Sequence, residues 1–251
     1  MFERGGRALK LTEEDRALFE RTSALLTDLE ETTSAIASGG HTPRGRLRIS
    51  APLLFSQTAM GKLAAEFALK HPEVRLEVTT EDRAVDMVEE GYDLAIRVNP
   101  DPDESLVGRI FLRDRMVMVA SPQVRPSSDG FPVPAVVRGL AKPVESWTVT
   151  TAAGKASITV QPSLSPSSLL MIRDAVRMGV GAARLPISLV GRDLAAGTLV
   201  NWGDVEGPEI ALWALYPSRW LLNARVSAFL DHLKGSFPQE TPNELANYLK
   251  V

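Results

Sequence analysis

The run from Val85 to Arg97 constrains the fold more than any other part of the sequence. Val85 and Val88 lie on one face of a short predicted amphipathic helix, and Gly91 follows at the position where a left-handed residue ends a helix. The next segment, Leu94–Ile96, is continuously apolar, as in a strand that is covered on both faces. A helix that leads through a glycine into a buried strand favours an α/β fold.

Strands and helices alternate on both sides of this run. Apolar residues repeat with helical spacing at residues 60–67 and with strand spacing at residues 74–78. Such alternation predicts a parallel sheet with right-handed crossovers. The sequence also predicts strands at 47–49, 116–120 and 210–216, a hairpin at 147–160, an irregular surface with a short helix at 123–145, and helices that begin at Ser165 and Asn223.

The N-terminal part of the chain predicts a long helix. Thr12 suits the N-cap, and Asp15, three residues later, suits the partner position of a capping box. Spacings of four and three residues then alternate, which is the heptad pattern of a coiled-coil seam, at Leu18, Thr22, Leu25, Leu29, Thr32 and Ile36. Two interpretations stay open: a seam that pairs two copies, and an amphipathic helix that packs on its own domain.

Composition excludes several classes of protein. Of the 251 residues, 44% are hydrophobic, which is ordinary for a globular protein with a core. The net charge of −3 provides no overall positive field for nucleic acid, and the absence of cysteine excludes disulfides, thiolate metal sites and cysteine nucleophiles. No apolar run approaches the roughly 20 residues of a membrane span, and the N-terminus lacks the apolar core of a signal peptide. We therefore expect a cytoplasmic protein with no membrane partner.

The run at 85–97 resembles the "vDlveeGyDlAIR" segment in the effector-binding domain of LysR-type transcriptional regulators. Further pieces resemble the same family in the same order, at 45–52, 67, 71–74, 105–107, 119–122, 179–181, 185–186, 197–200, 214–217 and 226–230. At the N-terminus, Phe2-Glu3-Arg4, Arg7 and Leu11-Thr12 resemble the "LFeR..r...LT" tail of the family's winged DNA-binding domain. Each piece is short, but their shared order makes the resemblance specific.

The resemblance implies a domain organisation. Residues 1–12 would be a remnant of the winged DNA-binding domain, and residues 13–40 would form a linker helix that dimerises through Leu18, Leu25, Leu29 and Ile36. Residues 46–251 would form a two-lobed α/β effector-binding domain with the type 2 periplasmic-binding-protein-like fold, with lobe I at 46–120 and 217–251 and lobe II at 121–216. Family members assemble as dimers or tetramers. Because the helix-turn-helix proper lies upstream of this tail, we expect sequence-specific DNA binding only from the full-length protein.

The candidate effector site lies at the strand ends. Ligands of open parallel sheets bind beyond the carboxyl ends of the strands, and the family binds small effectors between its lobes. The helix start after Ala51 offers backbone N–H groups, so we expect a small anionic effector. The residues expected to bind it are Ser50, Ala51, Phe55, Ser56, Gln57, Thr79, Thr80, Arg97, Asn99, Ser121, Ser165 and Gly181. Each has a structural alternative: serines that only cap helices, threonines that only end strands, and an arginine that only pairs with a surface carboxylate.

Two other functions compete with the regulator. A solute-binding protein of a transport system would fit the two lobes, but the heptad helix and the lack of a signal peptide argue against it. An enzyme on the same frame would need catalytic residues at the cleft, and His41, His71 and His232 all lie away from the predicted strand ends. We expect no catalytic residue, no metal and no cofactor apart from the effector. The histidine that family members carry before the central hairpin is missing from residues 134–140.

Overall fold

The structure is a computed structural model, which describes residues 2–3, 10–15, 18, 22, 26, 42–101, 106–126, 131–140, 142–217 and 223–249. The strands are β1 (Phe2–Glu3), β2 (Lys10–Leu11), β3 (Gly45–Ala51), β4 (Val74–Thr80), β5 (Leu94–Val98), β6 (Leu106–Asp114), β7 (Met116–Ala120), β8 (Val133–Val136), β9 (Glu145–Thr151), β10 (Gly154–Leu164), β11 (Ala183–Pro186), β12 (Val200–Val205) and β13 (Ile210–Pro217). The helices are α1 (Leu53–Phe55), which continues through a π-helical turn (Ser56–Met60) into α2 (Gly61–Lys70), then α3 (Leu169–Arg177), α4 (Ile187–Ala196), α5 (Ala224–Ser236) and α6 (Pro242–Tyr248).

The first lobe is built on a five-stranded sheet in the order β4-β3-β5-β13-β6. β3 pairs in parallel with β4 and β5, as the alternation predicts, whereas β13 runs antiparallel to β5 and β6. Every second residue of β3 is fully buried, and α2 and α5 cover that face. Phe67 of α2 packs edge-on against Phe229 of α5, with ring centroids 5.0 Å apart.

The second lobe is built on a six-stranded sheet in the order β11-β7-β12-β9-β10-β8. Among the described strands its pairs are antiparallel except for β8 with β10, so the predicted parallel sheet is correct only for part of the first lobe. The predicted hairpin at 147–160 is present as β9 and β10. Apolar residues of α3 and α4, including Ile172 and Val190, pack against β7 and β11 to form the core.

Sheet membership differs from the predicted lobe boundaries at two strands. β7, which the prediction assigns to lobe I, pairs with β11 and β12 of the second sheet. β13, assigned to lobe II, lies between β5 and β6 of the first sheet. The chain therefore crosses between the lobes at Arg115 and at residues 206–209. The predicted boundaries differ because both strands are apolar runs whose sequence does not specify a partner sheet. The outer boundaries at 12, 40 and 46 stay predictions.

The segment before β5 is a turn rather than the predicted helix. The amide of Tyr92 donates to the carbonyl of Met87 (2.8 Å), and the carboxylate of Asp86 accepts from the amides of Val88 and Glu89. Gly91 has φ of +69°, the left-handed conformation expected of it. Met87 is buried, whereas Val88 is half exposed.

Three further predictions need correction. The helix that the sequence starts at Ser165 begins at Leu169, with Ser168 at its N-cap position. Within 123–145, the described residues contain the strand β8 and no helix. Asn223 does cap the next helix, since its side chain accepts from the amide of Val226 (3.0 Å), but this is not the last helix described.

The N-terminal predictions are described in part. β1 and β2 form a small antiparallel pair. The amide of Asp15 donates to the hydroxyl of Thr12 (3.1 Å), which confirms Thr12 as the cap of a helix whose described residues are 13–15, 18, 22 and 26. Arg4, Arg7, Leu25, Leu29 and Ile36 lie outside the described residues, so the dimerisation seam stays a prediction. No helix in the described ranges has the length and apolarity to cross a bilayer.

The final described helix, α6, bridges the two lobes. Thr241 and Glu244 form a capping box, and Pro242 occupies the first turn. α6 packs against α4 of the second lobe, where a Cβ on Gly191 would lie only 3.0 Å from that of Ala246. At its other end the hydroxyl of Tyr248 donates to Glu66 of α2 (2.6 Å), so the helix is held by both lobes.

Candidate functional site

A cavity of about 1190 Å³ lies between the two sheets. The first lobe contributes the start of α1 and the end of β5, and the second lobe contributes residues around β8, β9, β11 and the start of α3. Both interlobe crossovers also line it, at 113–116 and 205–210, together with residues 239–242 and Leu245 near α6. A molecule in this cavity would contact both lobes and the segments that join them.

Three of the predicted site residues line the cavity: Phe55, Gln57 and Arg97. Phe55 is buried and packs edge-on against Phe111, with ring centroids 5.8 Å apart, so it forms part of the apolar floor. Gln57 is exposed. Ser50 is fully buried behind them, and its hydroxyl accepts from Nη2 of Arg97 (2.8 Å). Ser50 therefore orients the arginine instead of facing the cavity itself.

Eight other predicted site residues, apart from Ser50, do not line the cavity. They are Ala51, Ser56, Thr79, Thr80, Asn99, Ser121, Ser165 and Gly181. The hydroxyl of Ser56 donates to the carbonyl of Ala51 (3.3 Å), and the two threonines are exposed on the outer strand β4. Gly181 is packed against Pro134, since a Cβ there would lie 2.4 Å from the proline carbonyl oxygen. Its lack of a side chain thus serves packing within the second lobe.

Asn99 and Ser121 have structural roles near the crossovers. Asn99 has φ of 41°, and its side chain donates to the carbonyl of Glu209 (2.7 Å) and accepts from the amide of Ala211 (2.8 Å). It therefore fixes the second crossover against the end of β5. Ser121 is buried at the end of β7, where its hydroxyl accepts from the amide of Gln123 (3.5 Å).

Arg97 is a cation that the first lobe presents to the cavity without a described carboxylate partner nearby. Its guanidinium donates to the carbonyls of Ser50 (3.3 Å) and Ile96 (2.6 Å), as well as to the Ser50 hydroxyl. Among the described residues no carboxylate lies within 4.0 Å of it. Partial burial lowers the pKa of Arg97 from its ordinary value, although arginine remains charged at neutral pH. The predicted alternative of a simple surface ion pair is therefore not what the structure has.

The helix start after β3 is partly occupied by the protein's own carboxylate. The amide of Leu53 donates to Oδ1 of Asp82 (2.8 Å). The carboxylate of Asp82 therefore occupies a backbone N–H group that the sequence assigns to an anionic ligand. The helix start therefore carries less of the anion-binding capacity than expected, and the guanidinium of Arg97 carries more.

The sequence predicts a contribution from the second lobe at Ser121, Ser165 and Gly181, but it misses the residues of that lobe that line the cavity. Trp147 of β9 is buried, and its indole N–H donates to Glu145 (2.9 Å), which lowers the pKa of that carboxyl. The guanidinium of Arg184 on β11 lies 4.6 Å from the centroid of the indole ring. Arg138, which follows β8, also lines the cavity and donates through Nε to the carbonyl of Ser167 (3.1 Å). Trp147 and Arg184, an aromatic residue and a cation on strands, are the sequence signals that could have pointed to this part of the cavity.

The first crossover adds a buried carboxyl group. Asp114 ends β6, and its carboxylate accepts from the amide of Arg115 (2.8 Å) and from the hydroxyl of Ser188 in α4 (2.5 Å). Burial raises the pKa of Asp114, and the hydrogen bond from Ser188 opposes that rise. Within the described residues, no cluster of three or more His, Cys, Asp or Glu side chains has a metal-binding arrangement.

Comparison with known proteins identifies the family. A family model described as the LysR substrate binding domain matches residues 40–238. The HTH-type transcriptional regulator PtxR of Pseudomonas aeruginosa is 28% identical over 93% of this chain and 78% of that protein, and DmlR of Escherichia coli is 26% identical over 97% and 82%.

Solved structures agree with this assignment. The structure of CrgA, a LysR-type transcriptional regulator from Neisseria meningitidis, matches with a TM-score of 0.65 and 24% identity over 98% of this chain and 84% of that chain. The full-length structure of the Vibrio cholerae virulence activator AphB matches with a TM-score of 0.62 and 25% identity over 94% and 83%. The predicted two-lobed, type 2 periplasmic-binding-protein-like fold is confirmed, and a transport solute-binding protein is disfavoured. The chain belongs to the family of LysR-type transcriptional regulators and carries their effector-binding domain.

Proposed function

We propose that this chain binds a small anionic effector in the cavity between its lobes and so controls the DNA-binding part of the regulator. The observation that carries the proposal is Arg97. It lines the cavity, its hydrogen bonds go to neutral acceptors, and it has no described carboxylate within 4.0 Å. A partly buried cation in that position favours an anion from solution.

The position of the cavity supports a switching role. Its lining includes Arg113–Met116 and Val205–Ile210, which are the segments at the two crossovers between lobes. A ligand shifts a conformational equilibrium only if it binds one arrangement better than the other. A molecule that touches both lobes and both crossovers meets that condition, because its contacts change when the lobes rotate.

We further propose that the protein acts as a homo-oligomer, a dimer or tetramer, and that DNA is a partner of the full-length protein. The N-terminal helix supports this. Leu18 and Leu26 are exposed by 64% and 54% in the single chain. Leu18 is a position of the predicted seam, and Leu26 lies about 80° around an α-helix from it, within one broad apolar face that a second copy would cover. Catalysis and a metal or organic cofactor form no part of this proposal.

The test is titration calorimetry of the whole chain with a panel of organic acids. We expect Arg97→Gln to weaken binding roughly tenfold to a hundredfold, because a hydrogen bond to a charged group contributes about 1.5–3 kcal/mol. Arg97→Lys should keep part of the affinity. The matched control is Arg192→Gln, which removes an exposed arginine that does not line the cavity. Equal heats for Arg97→Gln and the unmodified chain, with folding verified by circular dichroism, would contradict the proposal.

A further inference from the structure

We propose that the effector carries two separated acid groups, one bound by Arg97 of the first lobe and the other by Arg138 and Arg184 of the second lobe. This inference rests on the proposed function and adds the chemical class of the ligand.

The acidic residues of the cavity all have donors within the protein. Asp82 accepts from the Leu53 amide, Asp114 from the Ser188 hydroxyl and Glu145 from the Trp147 indole. The remaining three form ion pairs, Glu206 with Lys155, and Glu209 and Glu240 with Arg113. These hydrogen bonds and ion pairs occupy part of the acceptor capacity of the carboxylates.

The arginines of the cavity divide into two groups. Arg113 pairs with Glu209 and Glu240, and Arg115 pairs with Asp204 (3.3 Å). Arg97, Arg138 and Arg184 have no described carboxylate within 4.0 Å. Three of the six acids in the lining, Asp82, Asp114 and Glu145, also have no described cation within 4.0 Å and accept from neutral donors. Arg97, Arg138 and Arg184 are the cations of the lining with which an anionic ligand can pair.

The unpaired arginines lie on opposite lobes. Arg97 belongs to β5 of the five-stranded sheet. Arg184 belongs to β11 of the six-stranded sheet, and Arg138 follows β8 of the same sheet. A ligand with one acid group satisfies one lobe only, whereas a ligand with two acid groups satisfies both.

The second-lobe arginines keep hydrogen-bond donors free. The guanidinium of Arg184 lies over the indole ring of Trp147, a contact that uses none of its N–H donors. Arg138 uses Nε on the Ser167 carbonyl. A carboxylate prefers two parallel N–H donors, which a guanidinium edge provides.

The cavity lining also contains apolar side chains from both lobes. It includes Leu54 from the first lobe, Met116 from the crossover, and Val136, Val137, Leu169 and Leu170 from the second lobe. A hydrocarbon spacer between two acid groups suits such a surface, because burying it releases water from apolar area. The ligand class is therefore an organic diacid whose acid groups are separated by a mainly apolar spacer.

The test compares acids of equal chain length by calorimetry on the whole chain: butyrate with succinate, hexanoate with adipate, and octanoate with suberate. We expect at least one diacid to bind tenfold or more tightly than its matched monoacid. The double variant Arg138→Gln/Arg184→Gln should remove that advantage, so that each diacid binds no more tightly than its matched monoacid. Arg97→Gln should weaken both, and Arg192→Gln should weaken neither.

The outcomes separate this inference from the proposed function. Diacids and monoacids that bind equally, with affinity lost in Arg97→Gln, would overturn the diacid class and leave the anionic effector standing. A diacid advantage that survives the Arg138→Gln/Arg184→Gln double variant would overturn the assignment of the second acid group. Absence of heat from every acid in both sets would remove both proposals together.

Discussion

Asp114 joins the two lobes through a buried carboxylate, and its titration is the sharpest test of how the first crossover is held. The residue is 6% exposed. Oδ1 accepts from the amides of Arg115 (2.8 Å) and Ser188 (3.4 Å), and Oδ2 accepts from the Ser188 hydroxyl (2.5 Å). Since β6 belongs to the first lobe and α4 to the second, these bonds fix the first crossover.

The pH dependence follows from the direction of the pKa shift. Burial raises the pKa of Asp114 above the ordinary value of an aspartic acid, 3.8. The folded state therefore holds the proton more tightly than the unfolded state. The stabilisation from this proton is complete below the unfolded pKa, and it is lost as the pH rises through the higher folded pKa. At neutral pH the buried charge lowers the free energy of unfolding.

Two substitutions separate the charge from the hydrogen bonds. In Asp114→Asn the amide oxygen replaces Oδ1, and the NH2 group donates to the Ser188 hydroxyl, so we expect stability at pH 7 equal to or above that of the unmodified chain. In Ser188→Ala the carboxylate loses a charge-assisted hydrogen bond, and we expect a loss of about 2 kcal/mol at pH 7. Because protonation removes the charge, that loss should shrink at acid pH.

The assay is urea unfolding followed by circular dichroism between pH 4 and 7. Asp114→Asn should remove the contribution of this group to the slope of unfolding free energy against pH. An unchanged slope would refute the assignment of that slope to Asp114. A loss of more than about 2 kcal/mol in Asp114→Asn at pH 7 would refute the hydrogen-bond exchange with Ser188.

Three further predictions concern other parts of the fold. Burial lowers the pKa of His232, so stability should fall as the pH drops from the unfolded value of about 6.5 toward the folded pKa, and His232→Gln should flatten this fall in urea unfolding. Gly181→Ala should lower the free energy of unfolding by about 1–3 kcal/mol, because the added Cβ would contact Pro134. The control Gly61→Ala has open space around it and should leave the free energy of unfolding unchanged. Equal effects of the two substitutions in thermal unfolding would contradict this prediction. Gly191→Leu should push α6 from α4 and speed hydrogen exchange in α6, and unchanged exchange would argue against the close contact.

The sequence predicts the strands of the first lobe well because their patterns are local. β3, β4 and β5 follow from apolar runs and alternation, and the cap at Asn223 follows from a side chain that suits an N-cap. The turn at 87–91 was mistaken for a helix because a single helical turn and a short helix share the same spacing of apolar residues. There the Asp86 carboxylate takes the amides of the next residues, and Gly91 ends the turn.

The candidate site was less predictable because it depends on pairing between distant segments. Arg97 was found from its position at a strand end, but Arg138, Arg184 and Trp147 reach the cavity only through the order of strands in the second sheet. α6 was missed although Thr241, Pro242 and Glu244 form a readable N-terminal signature. Local patterns thus specify elements, while sheet order decides which side chains meet.

The bridging helix α6 has a consequence for how relatives are compared. It begins after residue 238, where the match to the family model ends, yet Leu245 lines the cavity and Tyr248 is anchored to α2. Two regulators with the same cleft residues but different tails would hold their lobes with different stiffness. Because residues 239–242 and Leu245 also line the cavity, exchanging 239–249 between relatives would change the cavity wall together with the hold on the two lobes.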